Sequence, residues 1–298
     1  MRSFMGEQML GSASDSVVGI PVEWLPFAAF WLLFIGLALV ELMLPIHQRP
    51  VEAKGRLAAN FALGGSVFAL ATFLPLSGIL AAQWAASHSV GLLNVVAMPL
   101  GLALVLTVAI RSLASYTMHV VEHKVPLLWR FHKVHHCDTA IDLSTGFRSH
   151  PLAAIIQAVV FASVAIVLGL SVPALIAYEV LASSFSLLTH ANLHLGRAEP
   201  YLRWLIITPQ MHHVHHSAVQ RETDSNFGDV FSVWDRLLGT YCARSVEEVR
   251  AMRIGLGDSH DQHAGNLIHQ LKLPLLGSTA GSAAAAAPPP SARAEGAG

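Results

Sequence analysis

Residues 119–136 read HVVEHKVPLLWRFHKVHH: His119 and His123 stand four apart, and an H-x-x-H-H cluster of His132, His135 and His136 follows. A second pair, His190 and His194 in HANLH, precedes a second cluster, His212, His215 and His216 in HHVHH. Ten of the 17 histidines fall into this two-three-two-three arrangement. Residues three and four apart share one face of an α-helix, so each set aims its imidazoles at one place. Neutral imidazole is a standard nitrogen ligand for Fe, Zn, Cu and Ni. A lone histidine on a helix is usually packed or solvated; four sets at ligand spacing indicate metal. One ion cannot use ten imidazoles, so the pattern points to two.

Around this stretch the composition is that of a membrane protein. Hydrophobic residues make up 53% of the 298, charged residues 12%, and mean hydropathy is +0.53. Net charge is −1, which gives no reason to expect a nucleic-acid partner. Two cysteines, Cys137 and Cys242, make no disulfide framework. Cys137 adjoins His136, so it reads as an ordinary free thiol or as a ligand.

The mixed segment 1–24 lacks the pattern of a cleaved signal peptide. Residues 25–45 form a first apolar run, about the length that crosses a bilayer. The apolar tract 57–110 is too long for one helix; Gly64-Gly65, Pro75 and AASHS (85–89) divide it into helices over about 58–74 and 93–115 with an interfacial turn between. Residues 152–170 and 173–189 form a hairpin split at Ser171-Val172-Pro173. Residues 111–150 and 190–253 are polar and hold the histidines. Four regions are expected: 1–24; membrane helices over 25–92; a catalytic domain over 93–253; and a tail over 254–298, Ala/Pro/Gly/Ser-rich and disordered from about 277.

No Lys or Arg occurs between Leu57 and Ile110 or between Ser149 and Gly196; they gather at 49–56, 111–148 and 197–253. By the positive-inside rule those three stretches face the cytoplasm. All four histidine sets then lie on the cytoplasmic side, at the ends of membrane helices, and the N-terminus lies outside.

These motifs resemble the fatty acid hydroxylase/sterol desaturase superfamily of membrane di-iron enzymes, over roughly residues 95–245. His119 and His123 resemble its H-x(3,4)-H box. WRFHKVHH resembles its H-x-x-H-H box, and Asp138 to Pro151 the following D-x(3)-D-x-x-T-x-F-R-x-H-P. HANLH and TPQMHHVHHS resemble its third and last boxes, and NFGDVFSVWDRLLGTY (226–241) its closing signature. Ser112 and Val120 stand where the family often has Asp and Arg. The resemblance implies an all-α fold: multi-pass membrane helices topped by a cytosolic helical cap that carries a histidine-rich dimetal site. It implies ten ligands (His119, His123, His132, His135, His136, His190, His194, His212, His215, His216), with His213 a non-ligand. It implies two iron ions, with zinc an alternative occupant on purification, and O2-dependent hydroxylation or desaturation of a lipid. Electrons come from a separate donor, cytochrome b5-like or a ferredoxin and its reductase.

Other residues have two readings each. Asp138, His150 and Asn226 are candidates to support the ligands, as are Glu122, Asp142 and Asp229. His150 equally reads as a cap before Pro151, and Asn226 as a turn residue. Trp129 and Trp234 read as packed or interfacial aromatics. Glu179 lies midway along an apolar run, where it lines a cavity or makes an interhelical bond. The competing function is a membrane metal transporter or metal store, whose ligands belong along a path near the bilayer midplane. A zinc hydrolase is a third reading, disfavoured by the excess of ligands over one zinc site.

Overall fold

Long apolar runs become helices, and the breaks between them fall at Gly and Pro. The computed structural model describes residues 16–17, 20–21, 25–48, 54–74 and 76–277. A minimal antiparallel pair, β1 (Ser16–Val17) and β2 (Ile20–Pro21), precedes an otherwise helical chain. The helices are α1 (Leu25–Met43), α2 (Arg56–Phe73), α3 (Gly78–Ser87), α4 (Leu92–Val95), α5 (Leu100–Lys124), α6 (Pro126–His136), α7 (Pro151–Leu168) and α8 (Val172–His190). Short helices follow: α9 (Glu199–Leu202), α10 (Pro209–His215), α11 (Gln220–Thr223), α12 (Val233–Leu237), α13 (Val246–Ala251) and α14 (Leu267–Lys272).

Among the described residues, four stretches are long and apolar enough to cross a membrane: Arg56–Val95, which contains α2 and α3, and then α5, α7 and α8. Their outer faces are apolar: Phe68, Phe73, Leu100, Val105, Val167 and Val180 are all exposed. A water-facing surface does not carry such a band of large side chains; a lipid-facing one does. Between the helices the packing residues are small. Ala82 of α3 and Ala165 of α7 are fully buried beside Leu170 and Leu175.

The turns of one end sit together. Gly91 (φ +96°) meets Gly169 (φ +66°) so closely that a Cβ on Gly91 would lie 2.3 Å from the Gly169 nitrogen. Only glycine tolerates both that contact and that backbone. Ser171 N–H donates to Thr107 Oγ1 at 3.0 Å, tying the α7–α8 turn to α5. The histidines lie toward the opposite ends of α5 and α8.

Two sequence expectations change. The helix expected over 93–115 runs from Leu100 to Lys124, so His119 and His123 lie on a membrane-length helix and not in a separate polar segment. Arg111, within the expected span, pairs with Glu179 of α8, Nε to Oε1 at 2.8 Å. The turn expected near 75–92 contains α3, whose alanines let it pack on α7. Residues 254–277 also fold back: Leu273 is fully buried with Leu63, Val134 and Cys137. Both the expected disorder from about 277 and nearly all of segment 1–24 lie outside the described residues.

Candidate metal centre

Proline starts the helices that carry the boxes. Pro126 opens α6, and Pro209 opens α10 after a Thr208 cap that accepts Met211 N–H. A proline at the first helical turn gives up no helix hydrogen bond. Each H-x-x-H-H box then splits the same way. On α6, His132 and His136 point to one place and His135 to another; on α10 and its C-cap, His212 and His216 pair and His215 parts from them. The result is two groups whose ligand atoms lie within 4.8 Å of one another: His119, His123, His132, His136 and His215 in the first, and His135, His190, His212 and His216 in the second. The groups adjoin, for the His136 and His216 rings stack at 4.6 Å.

The ring nitrogens are sorted as a metal requires. In the first group Nδ1 of His119 lies 2.9 Å from Phe227 O, and that of His215 lies 2.8 Å from Ser225 O. Nδ1 of His123 lies 3.3 Å from Asp224 Oδ1, and that of His132 lies 3.4 Å from Glu122 Oε2. In the second, Nδ1 of His135 faces Arg148 O at 2.9 Å, and that of His190 faces Ser186 O at 2.6 Å. An acceptor at Nδ1 places the proton there and leaves the Nε2 lone pair free. Nε2 of His119, His123, His132 and His215, and both nitrogens of His136, are buried with no hydrogen-bond partner. Buried orphans are costly in a protein interior, and here they converge.

In the second group the Nε2 atoms crowd one another: His190 to His135 at 3.1 Å, His212 to His190 at 2.9 Å, and His216 to His212 at 3.2 Å. With Nδ1 protonated on His135 and His190, their Nε2 atoms bring lone pair against lone pair. Two nitrogens each about 2.0–2.1 Å from one ion sit about 3 Å apart, so the spacing suits a shared cation. Burial pushes His132, His135, His136, His212, His215 and His216 well below the ordinary histidine range, which keeps them neutral and able to ligate.

His194 enters neither group. Helix α8 ends at His190, so the i, i+4 relation between the two histidines is lost, and His194 N–H bonds instead to Leu44 O at 2.9 Å. His213 is outside both groups: its Nε2 lies 3.1 Å from Ala191 O and its ring stacks on His47. Cys137 is no ligand either. Its thiol is buried, donates to His260 O, and is pushed up to about 11 by that burial.

Of the six candidates for support, Glu122 faces His132 directly, while Asp138, His150 and Asn226 act at one remove, with no side-chain hydrogen bond to a grouped imidazole. Asp138 accepts from Arg56, Asn60 and Thr145, while Asp142 pairs with Arg56 and caps the turn Leu143–Phe147. Arg148 closes that assembly through Val134 O, Asn60 and Ala264 O, and so its own carbonyl meets His135. His150 caps α7, its Nδ1 accepting Leu152 N–H at 3.1 Å. Asn226 adopts φ +51° and ties its loop to Met211 O and Cys242 O, which places the flanking Ser225 and Phe227 carbonyls. Asp235 holds the same loop by accepting from Phe227 N, Gly228 N and Thr240 Oγ1. A Cβ on Gly228 would meet Phe231 O at 2.6 Å. The NFG…WD…GTY signature is therefore a clamp for two ligand-orienting carbonyls. Ser112 accepts from Trp234 Nε1 at 3.0 Å, and Trp129 packs on the His123 and His136 rings. Asp224 was not among the expected supporting residues, and a carboxylate 101 residues from its histidine leaves no local sequence signal.

A cavity of about 330 Å³ opens on both groups, lined by His119, His132, His135, His190 and His212 together with Arg111 and Asp229.

Fold and site together define a helical protein with membrane-length helices and two adjoining histidine groups able to hold metal. Residues 104–240 match the fatty acid hydroxylase family, and that stretch belongs to it, in agreement with the resemblance read over 95–245. The chain is 30% identical over 143 residues to the ornithine lipid hydroxylase OlsE of Rhizobium tropici, covering 48% of this chain and 43% of that protein. It is 29% identical over 134 residues to the human alkylglycerol monooxygenase, covering 45% of this chain and 29% of that protein, and 28% identical over 146 residues to the zebrafish (Danio rerio) one. The chain thus spans less than half the length of these curated relatives. No solved structure matches it.

Proposed function

We propose that this chain is a membrane di-iron oxygenase that hydroxylates or desaturates a lipid, using O2 and electrons from a separate donor. The nine grouped histidines hold the two irons, and residues 93–253 form the catalytic domain, with the site facing the cytoplasm. The observation that carries the reading is the pair of adjoining imidazole groups with inward, unpartnered nitrogens. The relatives support the lipid class: those matched are a lipid hydroxylase and alkylglycerol monooxygenases.

Bound iron supplies the O2-dependent oxidation of an unactivated C–H bond, which side-chain acids and bases do not reach. The chain's own residues do the rest. Phe227 O, Ser225 O, Asp224 and Glu122 fix four rings of the first group; Arg148 O and Ser186 O fix two of the second. In balance, O2, two electrons and two protons convert C–H to C–OH and water, or CH–CH to C=C and two waters. A metal transporter is less well supported: the groups lie at helix ends, and the ion pair Arg111–Glu179 occupies the helix interior.

The test is lipid profiling of a host with and without the gene under air and under nitrogen. The expected product gains one oxygen atom or loses two hydrogens, only in air and only with the gene. An identical lipid profile in all conditions overturns the proposal.

A further inference from the structure

The cavity beside the metal groups is not lined by hydrocarbon alone. Its two long walls are faces of α5 and α8. On α5 the polar lining runs Arg111, Ser115, His119 and Glu122, with Met118 beside it; on α8 it runs Ser183, Ser186 and His190, with Ala182 and Thr189 beside it. These are helical spacings of three and four, so each wall is one continuous stripe. Both stripes are polar through a region whose outer surface is apolar. A mid-chain methylene needs none of that, and burying polar groups without partners is costly.

Arg111 is the group that asks for a ligand. It is 5% exposed, its Cζ lies 3.6 Å over the Phe161 ring, and its Nε donates to Glu179 at 2.8 Å. Its Nη1 is buried with no hydrogen-bond partner, and the residue lines the cavity. An unsatisfied guanidinium nitrogen inside a protein costs more than an ordinary lost hydrogen bond. Arg111 precedes His119 by eight residues, about 12 Å along the helix axis. Arg148, the other guanidinium of the lining, also leaves Nη2 unpartnered, but its remaining nitrogens hold the scaffold behind His135.

Charge narrows the ligand. Glu179 already answers the Arg111 charge, and Glu122 and Asp229 add two more carboxylates to the lining. An anionic ligand at Nη1 would meet the Glu179 carboxylate that already holds the guanidinium. A neutral oxygen would meet only the free N–H.

We propose that Arg111 is a specificity-determining residue: its Nη1 binds an uncharged oxygen acceptor of the lipid, so that the carbon presented to the metal groups lies within about 12 Å of an ester or amide carbonyl and not far along a plain chain. This rests on the oxygenase reading and names the substrate's chemistry.

The test uses the full-length, iron-loaded protein in detergent and four probes of equal chain length: an alkyl acetate, an N-alkyl acetamide, a fatty carboxylate and an alkane. Binding is measured by displacement of a fluorescent lipid, and turnover separately. The ester and amide should each bind at least about tenfold tighter than the alkane and the carboxylate, one hydrogen bond in a dry site. Arg111→Gln should bring the ester-to-alkane and amide-to-alkane ratios close to one while iron content stays at the wild-type value. If Arg111→Gln does not fold, Arg111→Lys keeps a charge opposite Glu179 but loses the second arm of the fork, and the same collapse of the ratios is expected. Equal binding of all four probes, tightest binding of the carboxylate, or ratios that survive both substitutions would overturn the inference. Preferential binding with no O2-dependent turnover of any probe would instead sink the oxygenase reading and leave Arg111's role standing.

Discussion

The two histidine groups are built from the same boxes yet are supported differently. The first has five imidazoles, and two of its rings rest on carboxylates, Asp224 and Glu122. The second has four, two of them resting on neutral carbonyls, while Nδ1 of His212 and of His216 has no partner. Carboxylates behind imidazoles raise ligand basicity and offset the charge of a bound cation. The first group is thus the more saturated and better braced, and the second the sparser. The lesson is that one repeated motif yields two unequal sites, because the loops behind it differ.

The sharpest way to break that comparison is to remove one member of each group. His216→Ala should leave three imidazoles, weaken iron in the second group more than the loss of one imidazole weakens the first, and abolish turnover. His136→Ala should leave four in the first group and weaken iron there without emptying it. Metal analysis after dialysis reads both; equal losses would erase the distinction between the groups.

The next effect is that of the carboxylates. Glu122→Gln and Asp224→Asn should each lower iron affinity about 10- to 100-fold in the first group alone. A chelator titration of the wild type should release the second ion first, and in either variant the order should reverse or the two steps merge.

Most of this was legible in the sequence because metal ligation needs specific residues at helical spacing. The 3.6-residue period explains why His132, His135 and His136 can divide between two sites while each box stays contiguous. His194 shows where the reasoning fails: i, i+4 predicts a shared face only while the helix continues, and α8 stops at His190. The orienting partners were largely illegible because Phe227 O, Ser225 O, Arg148 O and Ser186 O are backbone atoms that any residue supplies. The partner of Arg111 was illegible for a related reason: nothing local in the sequence links it to Glu179 on α8, 68 residues away.

Loss of the loop clamp should cost stability in addition to occupancy. Asp235→Ala strands Phe227 N, Gly228 N and Thr240 Oγ1, and should destabilise the protein by about 3 kcal/mol, read as a lowered Tm. Iron should fall in the first group more than in the second, since His119 and His215 lean on this loop.

The smallest effect concerns Cys137. Its folded value is raised to about 11 by burial, so the folded state binds the proton more tightly than the unfolded thiol at about 8.5. Stability from this group is therefore full below the unfolded value and declines as pH rises from about 8.5 towards 11. Cys137→Ser should flatten that part of the stability–pH curve, and Cys137 should resist alkylation at neutral pH while the protein is folded.

The central claim is that two adjoining groups of imidazoles, five and four, each hold an iron. Anaerobic loading with ferrous iron, removal of excess, and X-ray absorption on the same sample test it most directly. The account predicts about two irons per chain, nitrogen scatterers without sulfur, and a signal from a neighbouring iron. A single iron per chain, or thiolate in the coordination shell, would contradict it.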